Sequence, residues 1–395
     1  MNIIIISTGF LPQPAVKGGA VETLIDTLID YNEIYVKNSL YVYSIYDIDA
    51  PKEINKYNNC KFEYIKVNKI YKDLFSRHII PCWLFSKLFL SKVIKNIKSR
   101  KNFDAILIEN YFIHAKKLRK FIKNKPIILH LHNDFINVNV KNIESKINFL
   151  DSIISISDYL KLKVEELNTN ISIKTVYNGI NLSKFGKSDS REIEYIRKKY
   201  NIGKNETVIV FAGRLIPDKG IKELLMAFNE ISKKLPITLL VIGNSFFNNN
   251  DDDKFTKDLK YISKSKKEKI IFTGYISYEN MSKMYSIADI GCVPSIWEEP
   301  FGLTVIEQMA MGLPMIVSNS GAISEIVSEE CAIIIDKDKE YILNLKKAIL
   351  RLYSDFNLRK EMGKESRKRA EKFSNVNFSN QIYKYIEERV EANNN

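Results

Sequence analysis

Two glutamates eight positions apart bracket the segment Glu299-Pro300-Phe301-Gly302-Leu303-Thr304-Val305-Ile306-Glu307, with a glycine between them at the start of a helical pattern. Carboxylates accept hydrogen bonds from sugar hydroxyls, Gly302 lets the backbone come close to a ligand, and the free N–H groups of Leu303 and Thr304 would face a diphosphate at a helix N-terminus. The arrangement suits a sugar nucleotide. A second reading needs no ligand: Thr304 and Glu307 stand three apart, the spacing of a capping box in which each side chain satisfies the other's backbone donor.

Other chemistry-bearing residues follow apolar runs in the same way. Phe211-Ala212-Gly213-Arg214-Leu215-Ile216-Pro217-Asp218-Lys219-Gly220 puts two cations, Arg214 and Lys219, on one loop, placed either to grip a diphosphate or simply to be solvated. Gly243 and Gly274-Tyr275-Ile276 close two later runs, where a nucleobase could lie against exposed backbone. Near the start, Gly18-Gly19 precedes an amphipathic helix, as either a plain turn or an approach to phosphate or substrate hydroxyl. His130 and His132 flank Leu131 at the end of another run, on one face of an extended strand. His132, nearer the strand end, could donate a hydrogen bond to a sugar hydroxyl or to developing charge. A metal would need a third ligand, and none is evident in the local sequence.

Parallel strands must position these loops. Short β-branched runs at 3–7, 40–45, 62–67, 105–109, 127–131, 152–156 and 173–177, then at 208–212, 238–242, 270–273, 290–294, 315–318 and 332–335, alternate with amphipathic segments, which predicts parallel sheets covered by helices. Every candidate lies at the carboxyl end of such a run, where open α/β sheets bind ligands. The turn Asn178-Gly179 and the polar stretch after it divide the series. The expected organisation is an N-terminal domain over 1–182, a linker over 183–205, a second domain over 206–375, and a C-terminal helix over 376–395 that returns to the first domain. The loop Asn248 to Asp253 and the tail Asn393-Asn394-Asn395 are expected to be mobile.

At 395 residues the chain exceeds what one core supports. Cys60, Cys82, Cys292 and Cys331 are scattered, without metal-site or disulfide-framework spacing. No apolar run approaches the roughly 18–20 residues of a membrane span, and Met1 to Ile6 lacks a basic leader, so a cytoplasmic protein is expected. The net charge of +13 is uneven: residues 66–101 hold ten Lys or Arg and one acid, Asp73. Within it, apolar positions 85, 88, 89 and 93 form a helical stripe with Lys87, Lys92, Lys95 and Lys98 around it. That pattern fits either a helix packed on its own core or one lying on an anionic membrane at the inner face of the cell. No nucleic-acid-binding motif accompanies the charge, so no nucleic-acid partner is expected.

Taken together, Gly18-Gly19, the His-Asn-Asp end of a strand, Asn178-Gly179-Ile180, Gly213-Arg214-Leu215 with Lys219-Gly220, and Glu299-Pro300-Phe301-Gly302 with Glu307-Gln308-Met309-Ala310 resemble the family 4 retaining glycosyltransferases, whose signature is Glu-x7-Glu. The resemblance spans nearly the whole chain. It implies the GT-B fold, two Rossmann-like α/β/α domains facing a central crevice with the C-terminal helix crossing back. It implies a nucleotide-sugar donor, UDP-linked, and a glycan or lipid-linked glycan acceptor in polysaccharide or cell-envelope biosynthesis, with no cofactor and no metal. It also implies roles: Glu299, Phe301 and Gly302 on donor-sugar hydroxyls, Glu307 on the ribose, Arg214 and Lys219 on the diphosphate, the Ile276 region on the base, Gly19 near phosphates or acceptor, and His132 on the donor sugar. Two departures stand out. His130 competes with His132, and residues 31–46 lack the glycine that commonly ends the first helix. A soluble acceptor, a sugar-nucleotide epimerase of the same fold, and a non-enzymatic basic membrane-binding protein are the alternative readings.

Overall fold

The computed structural model describes residues 1–68, 81–100, 102–231, 235–244, 253–263 and 269–394. Its strands are β1 (Asn2–Ile6), β2 (Ser39–Ile45), β3 (Cys60–Ile65), β4 (Ala105–Glu109), β5 (Ile127–Leu131), β6 (Ser152–Ser155), β7 (Ser172–Thr175), β8 (Thr207–Ala212), β9 (Ile237–Ile242), β10 (Ile270–Gly274), β11 (Ile290–Val293), β12 (Met315–Ser318) and β13 (Ala332–Ile335). Each coincides with a run predicted from the sequence. They form two sheets, ordered β3-β2-β1-β4-β5-β6-β7 and β10-β9-β8-β11-β12-β13, and the described pairings are parallel. In both, the order reverses beside the first strand of the sheet, the place where loops splay apart and leave room for a ligand.

The chain divides into two compact units, Met1–Gly179 with Asn375–Asn395, and Ile180–Ser374. In the first, the helices Ala20–Tyr31 and Asn375–Asn394 share one core, where Ile25, Leu28 and Ile29 join Phe378, Ile382 and Ile386. The Tyr383 hydroxyl donates to the Leu28 carbonyl at 2.9 Å. Each large apolar side chain so buried contributes about 1.5–3 kcal/mol. The tail that the sequence left as mobile is helical through Asn394, and Asn393 donates to the Asn124 carbonyl at 3.0 Å.

In the second unit, the helices Ile221–Ile231 and Tyr341–Ser354 share a core with β8, β9 and β11. Residues 183–205, expected as a linker, carry a helix of their own, Ser190–Lys199, capped by Asp189. Arg197 on that helix donates to the carbonyls of Ile287, Gly203 and Glu206 at 3.1, 2.8 and 2.6 Å, which fastens the segment to this unit. Much of the loop expected to be mobile, residues 248–252, lies outside the described residues, as do 69–80 and 101 of the basic stretch.

Two local details settle points that the sequence leaves open. The helix Cys82–Ser99 forms, but Phe85, Phe89 and Val93 are buried in the protein, and Phe85 stacks on Phe10 with ring centroids 5.8 Å apart. The aromatic stripe is therefore core, and the exposed lysines are what that helix offers to an acidic surface. The missing glycine after the first helix is replaced by an unusual device. Residues Asn32–Val36 continue as a wider π-helical turn, and Lys37 takes the left-handed conformation at φ 58°. The Asn32 amide holds it there, donating to the Asn38 carbonyl at 2.8 Å and accepting from the Asn38 N–H at 2.9 Å.

Candidate functional site

In the second unit, the loops after β8 and β11 are drawn together by backbone. The Ile296 N–H donates to the Asp218 carbonyl at 2.8 Å, and Gly220, at φ +68°, lies so close that a Cβ would stand 1.7 Å from the Pro294 carbonyl oxygen. No other residue fits there without moving one of the loops. The approach brings two predicted site residues into contact: Lys219 Nζ lies 2.5 Å from Glu299 Oε1, which also accepts from the Ser295 hydroxyl at 2.6 Å. Glu299 is 7% exposed, and its backbone is fixed by Ala322, whose N–H donates to the Glu299 carbonyl at 2.8 Å. A buried carboxylate paired with an ammonium is strongly coupled to it, because either left alone would carry an unshielded charge. Arg214, on the same loop as Lys219, is exposed and makes no ion pair among the described residues.

Gly302 is the N-cap of the helix Leu303–Ala310, with no side-chain hydrogen bond at the cap. The capping box expected from Thr304 and Glu307 does not form. Glu307 is instead turned into the unit, 6% exposed, and accepts from the Tyr285 hydroxyl at 2.9 Å. Burial raises its carboxyl to about 7, and the Tyr285 hydrogen bond offsets only part of that rise. The N–H groups of Leu303 and Thr304 have no acceptor among the described residues, so the positive end of the helix is unsatisfied. Phe301 is buried and packs edge-on against Phe373, with centroids 6.2 Å apart. Gly243, at φ +132°, stands where a Cβ would be 1.9 Å from the Gly213 carbonyl oxygen, so it serves the packing of two loops. Ile276 is half-buried between β10 and the helix Tyr278–Ser286.

In the first unit, Gly19 takes φ +105° at the start of the helix Ala20–Tyr31, and a Cβ there would stand 2.3 Å from Glu22 Oε2. Glu22 is buried, its carboxyl raised by desolvation, and it accepts from the Thr8 hydroxyl at 2.6 Å. Where the sequence offered His130 and His132 no third partner, the fold supplies Glu109 at the end of β4. Its Oε2 lies 2.7 Å from His132 Nε2 and 3.0 Å from His130 Nδ1, and all three side chains are buried. These are the described residues that could hold a metal ion, with ligand atoms within 4.8 Å of one another. Burial alone would raise Glu109, but the attraction of the His130 ring beside it and the hydrogen bond from His132 outweigh this and hold it at about 2. His132 is pushed down to about 4 by burial and by His130.

Residues 192–369 match the family model described as glycosyl transferases group 1. That match lies within the second unit and spans most of it. A relative over both units is the lipopolysaccharide 1,2-N-acetylglucosaminetransferase of Salmonella typhimurium, 29% identical over 86% of this chain and 85% of that protein. Among solved structures, HepE of Anabaena in complex with UDP and glucose is similar at TM-score 0.75 and 19% identity, covering 98% of this chain and 99% of that one. Sucrose-phosphate synthase of Thermosynechococcus elongatus is similar at TM-score 0.78 and 20% identity, covering 99% and 100%. The two parallel-sheet units thus form a GT-B-like architecture.

Within the second unit, sequence reasoning named Glu299, Lys219 and Glu307 but not the hydroxyls that hold them, Ser295 and Tyr285. Ser295 follows the last strand residue of β11 by two and could have been suspected from its place. Tyr285 sits in an ordinary amphipathic helix, with nothing in its surroundings to mark it. Glu109 did carry a signal: it is the one charged residue in a strand otherwise made of Ala105, Ile106, Leu107 and Ile108.

Proposed function

We propose that the protein is a retaining glycosyltransferase that moves a sugar from a nucleotide-linked donor, UDP-linked, to a hydroxyl of a glycan or lipid-linked glycan. The observation that carries this reading is the Lys219–Glu299 pair, which joins a diphosphate-gripping cation to a sugar-binding carboxylate across two loops of the transferase domain. The names of the relatives support the setting: one acts on lipopolysaccharide, and HepE holds UDP and glucose. This reading builds on group 1 glycosyltransferase activity in polysaccharide or envelope assembly.

The chemistry follows from charge. As the glycosidic bond to phosphate breaks, the nucleoside diphosphate departs as an anion. Arg214, Lys219 and the unsatisfied N–H groups of Leu303 and Thr304 stabilise it, so no general acid is needed and a metal is dispensable. Glu299 and the backbone at Phe301 and Gly302 hold the sugar, and Glu307 holds the ribose. The acceptor hydroxyl attacks from the face that the phosphate leaves and passes its proton to the departing phosphate oxygen, which preserves the anomeric configuration. Gly19 and His132 are the contributions of the first unit. Among the described residues no helix is long and apolar enough to cross a membrane. For a lipid-linked acceptor, the exposed Lys87, Lys92, Lys95 and Lys98 give a peripheral contact with anionic lipid.

The test is turnover of UDP-glucose and UDP-N-acetylglucosamine, followed by product release, in Arg214→Ala and Lys219→Ala. A loss in kcat/KM of about 100-fold or more in each is expected. Values near wild type in both would sink the diphosphate assignment. The configuration of the new bond, read by NMR of the product, decides retention.

A further inference from the structure

Two imidazoles facing one buried carboxylate pose a question of proton placement. An ionised carboxylate only accepts hydrogen bonds, so a ring nitrogen bound to it must carry the hydrogen. His132 Nε2 lies 2.7 Å from Glu109 Oε2 in hydrogen-bonding geometry. His130 Nδ1 lies 3.0 Å from the same oxygen, but it is out of line for a hydrogen bond, and both His130 nitrogens are buried and unpaired. His132 Nδ1 differs: it is not among the sealed atoms, and no protein group among the described residues engages it. The backbone of His132 is held as well, its N–H donating to Asn110 Oδ1 at 3.2 Å from a residue in the left-handed conformation at φ 67°.

We infer that Glu109 is a positioning residue that fixes His132 as the Nε2–H tautomer, leaving the Nδ1 lone pair to accept a hydrogen bond from a substrate hydroxyl. The inference rests on the reading that His132 meets the substrate, and it reverses the direction of the contact. The sequence suggested a donor; the fold presents an acceptor. A neutral imidazole that donates through Nε2 keeps its lone pair on Nδ1. The second imidazole, His130, packs against His132 with centroids 4.1 Å apart and lies against the same carboxylate oxygen, Glu109 Oε2.

Long-range ¹H–¹⁵N NMR of the labelled full chain at pH 7 reads the tautomer directly. Protonated Nε2 and unprotonated Nδ1 at His132 are expected, and the opposite tautomer overturns the inference. In Glu109→Gln, whose amide can donate to Nε2, the His132 signals should shift toward the Nδ1–H form. Release of UDP from whichever of UDP-glucose and UDP-N-acetylglucosamine is turned over should fall about 10- to 100-fold in kcat. Adding Glu109→Gln to His132→Ala should cost less than about twofold more, because both changes remove one interaction; fully additive losses overturn the inference. So does a stoichiometric metal ion whose removal by chelator moves the His132 signals, since Nε2 would then be a ligand. Should Glu109→Gln fail to fold, the wild-type tautomer still decides. If His132→Ala turns over donor as wild type does, the substrate half of the inference falls, while the donor-site reading is judged separately through Arg214 and Lys219.

Discussion

Glu109 in the first unit and Glu307 in the second are both buried at the carboxyl side of a parallel sheet, yet their surroundings drive them to opposite charge states. Glu109 sits between two imidazoles and is held at about 2, whereas Glu307 has one neutral hydroxyl for company and rises to about 7. Burial alone disfavours ionisation in both cases. The number and kind of donors facing the carboxylate decide which way it goes. A carboxylate held ionised by the imidazoles of its own protein serves to hold a neighbour in place. One left half-satisfied is ready for a ligand that brings the missing donors, as a ribose diol does.

The largest test of this contrast lies at another buried acid, Glu299, which the protein pairs with a cation. Glu299→Gln keeps the hydrogen bond from Ser295 but strands Lys219, and we expect an intact fold with loss of about 100-fold or more in kcat/KM. Wild-type turnover by this variant would remove Glu299 from the site. Next in size is the pH dependence of stability. For Glu307 the folded value, about 7, lies above the ordinary 4.5, so its contribution is present below pH 4.5 and lost as pH rises through 7. Glu307→Gln should therefore be more stable than wild type at pH 8, by about 1–3 kcal/mol in urea unfolding, with the gain gone by pH 5. His132 and His114 are shifted the other way, to about 4 and about 3, by burial first. Their contributions are present above pH 6.5 and lost as pH falls toward those values, so these imidazoles cost the first unit stability in mild acid. That cost is offset in part by its own buried Asp26, raised to about 7, and Glu22, whereas Glu307 favours the second unit there. Equal slopes for the two units across pH 4–8 would break the comparison.

A smaller effect should appear in donor binding. If a ribose diol selects the ionised form of Glu307, UDP binding near pH 6.5 releases a fraction of a proton, measurable by calorimetry in buffers of different ionisation enthalpy. Glu307→Gln should abolish the release and weaken binding by about tenfold, or about 1.4 kcal/mol. The smallest change lies away from both sites: Lys37→Gly relieves a left-handed conformation and should stabilise the first unit by about 0.5–1 kcal/mol. Destabilisation there would mean that the Lys37 side chain contributes more than its backbone costs.

The strands were legible because parallel strands covered on both faces must be written as short β-branched runs, and β1, with Ile3, Ile4, Ile5 and Ile6, is nearly pure code for that. Loop chemistry was legible where the constraint is local, as at Gly220, whose place admits no Cβ. What escaped was set by contact between distant segments. Thr304 and Glu307 satisfy the local rule for a capping box, but Tyr285, from another helix, offers Glu307 a buried partner that the rule does not weigh. Glu109 and His132 are 23 positions apart and meet only because β4 and β5 are neighbours. The aromatic stripe of the helix Cys82–Ser99 was ambiguous for a similar reason, since periodicity shows that a face is covered and not by what.

The C-terminal helix has a bearing on how the molecule is made. Phe378, Ile382 and Ile386 complete a core begun by Ile25 and Leu28, so the ribosome must finish some 350 further residues before the earliest helix receives its cover. The second unit, Ile180–Ser374, is contiguous and can close while the rest is still being synthesised. Vectorial synthesis thus runs against the usual order here: the unit translated first is completed last, and until then its exposed apolar face is a natural client for chaperones.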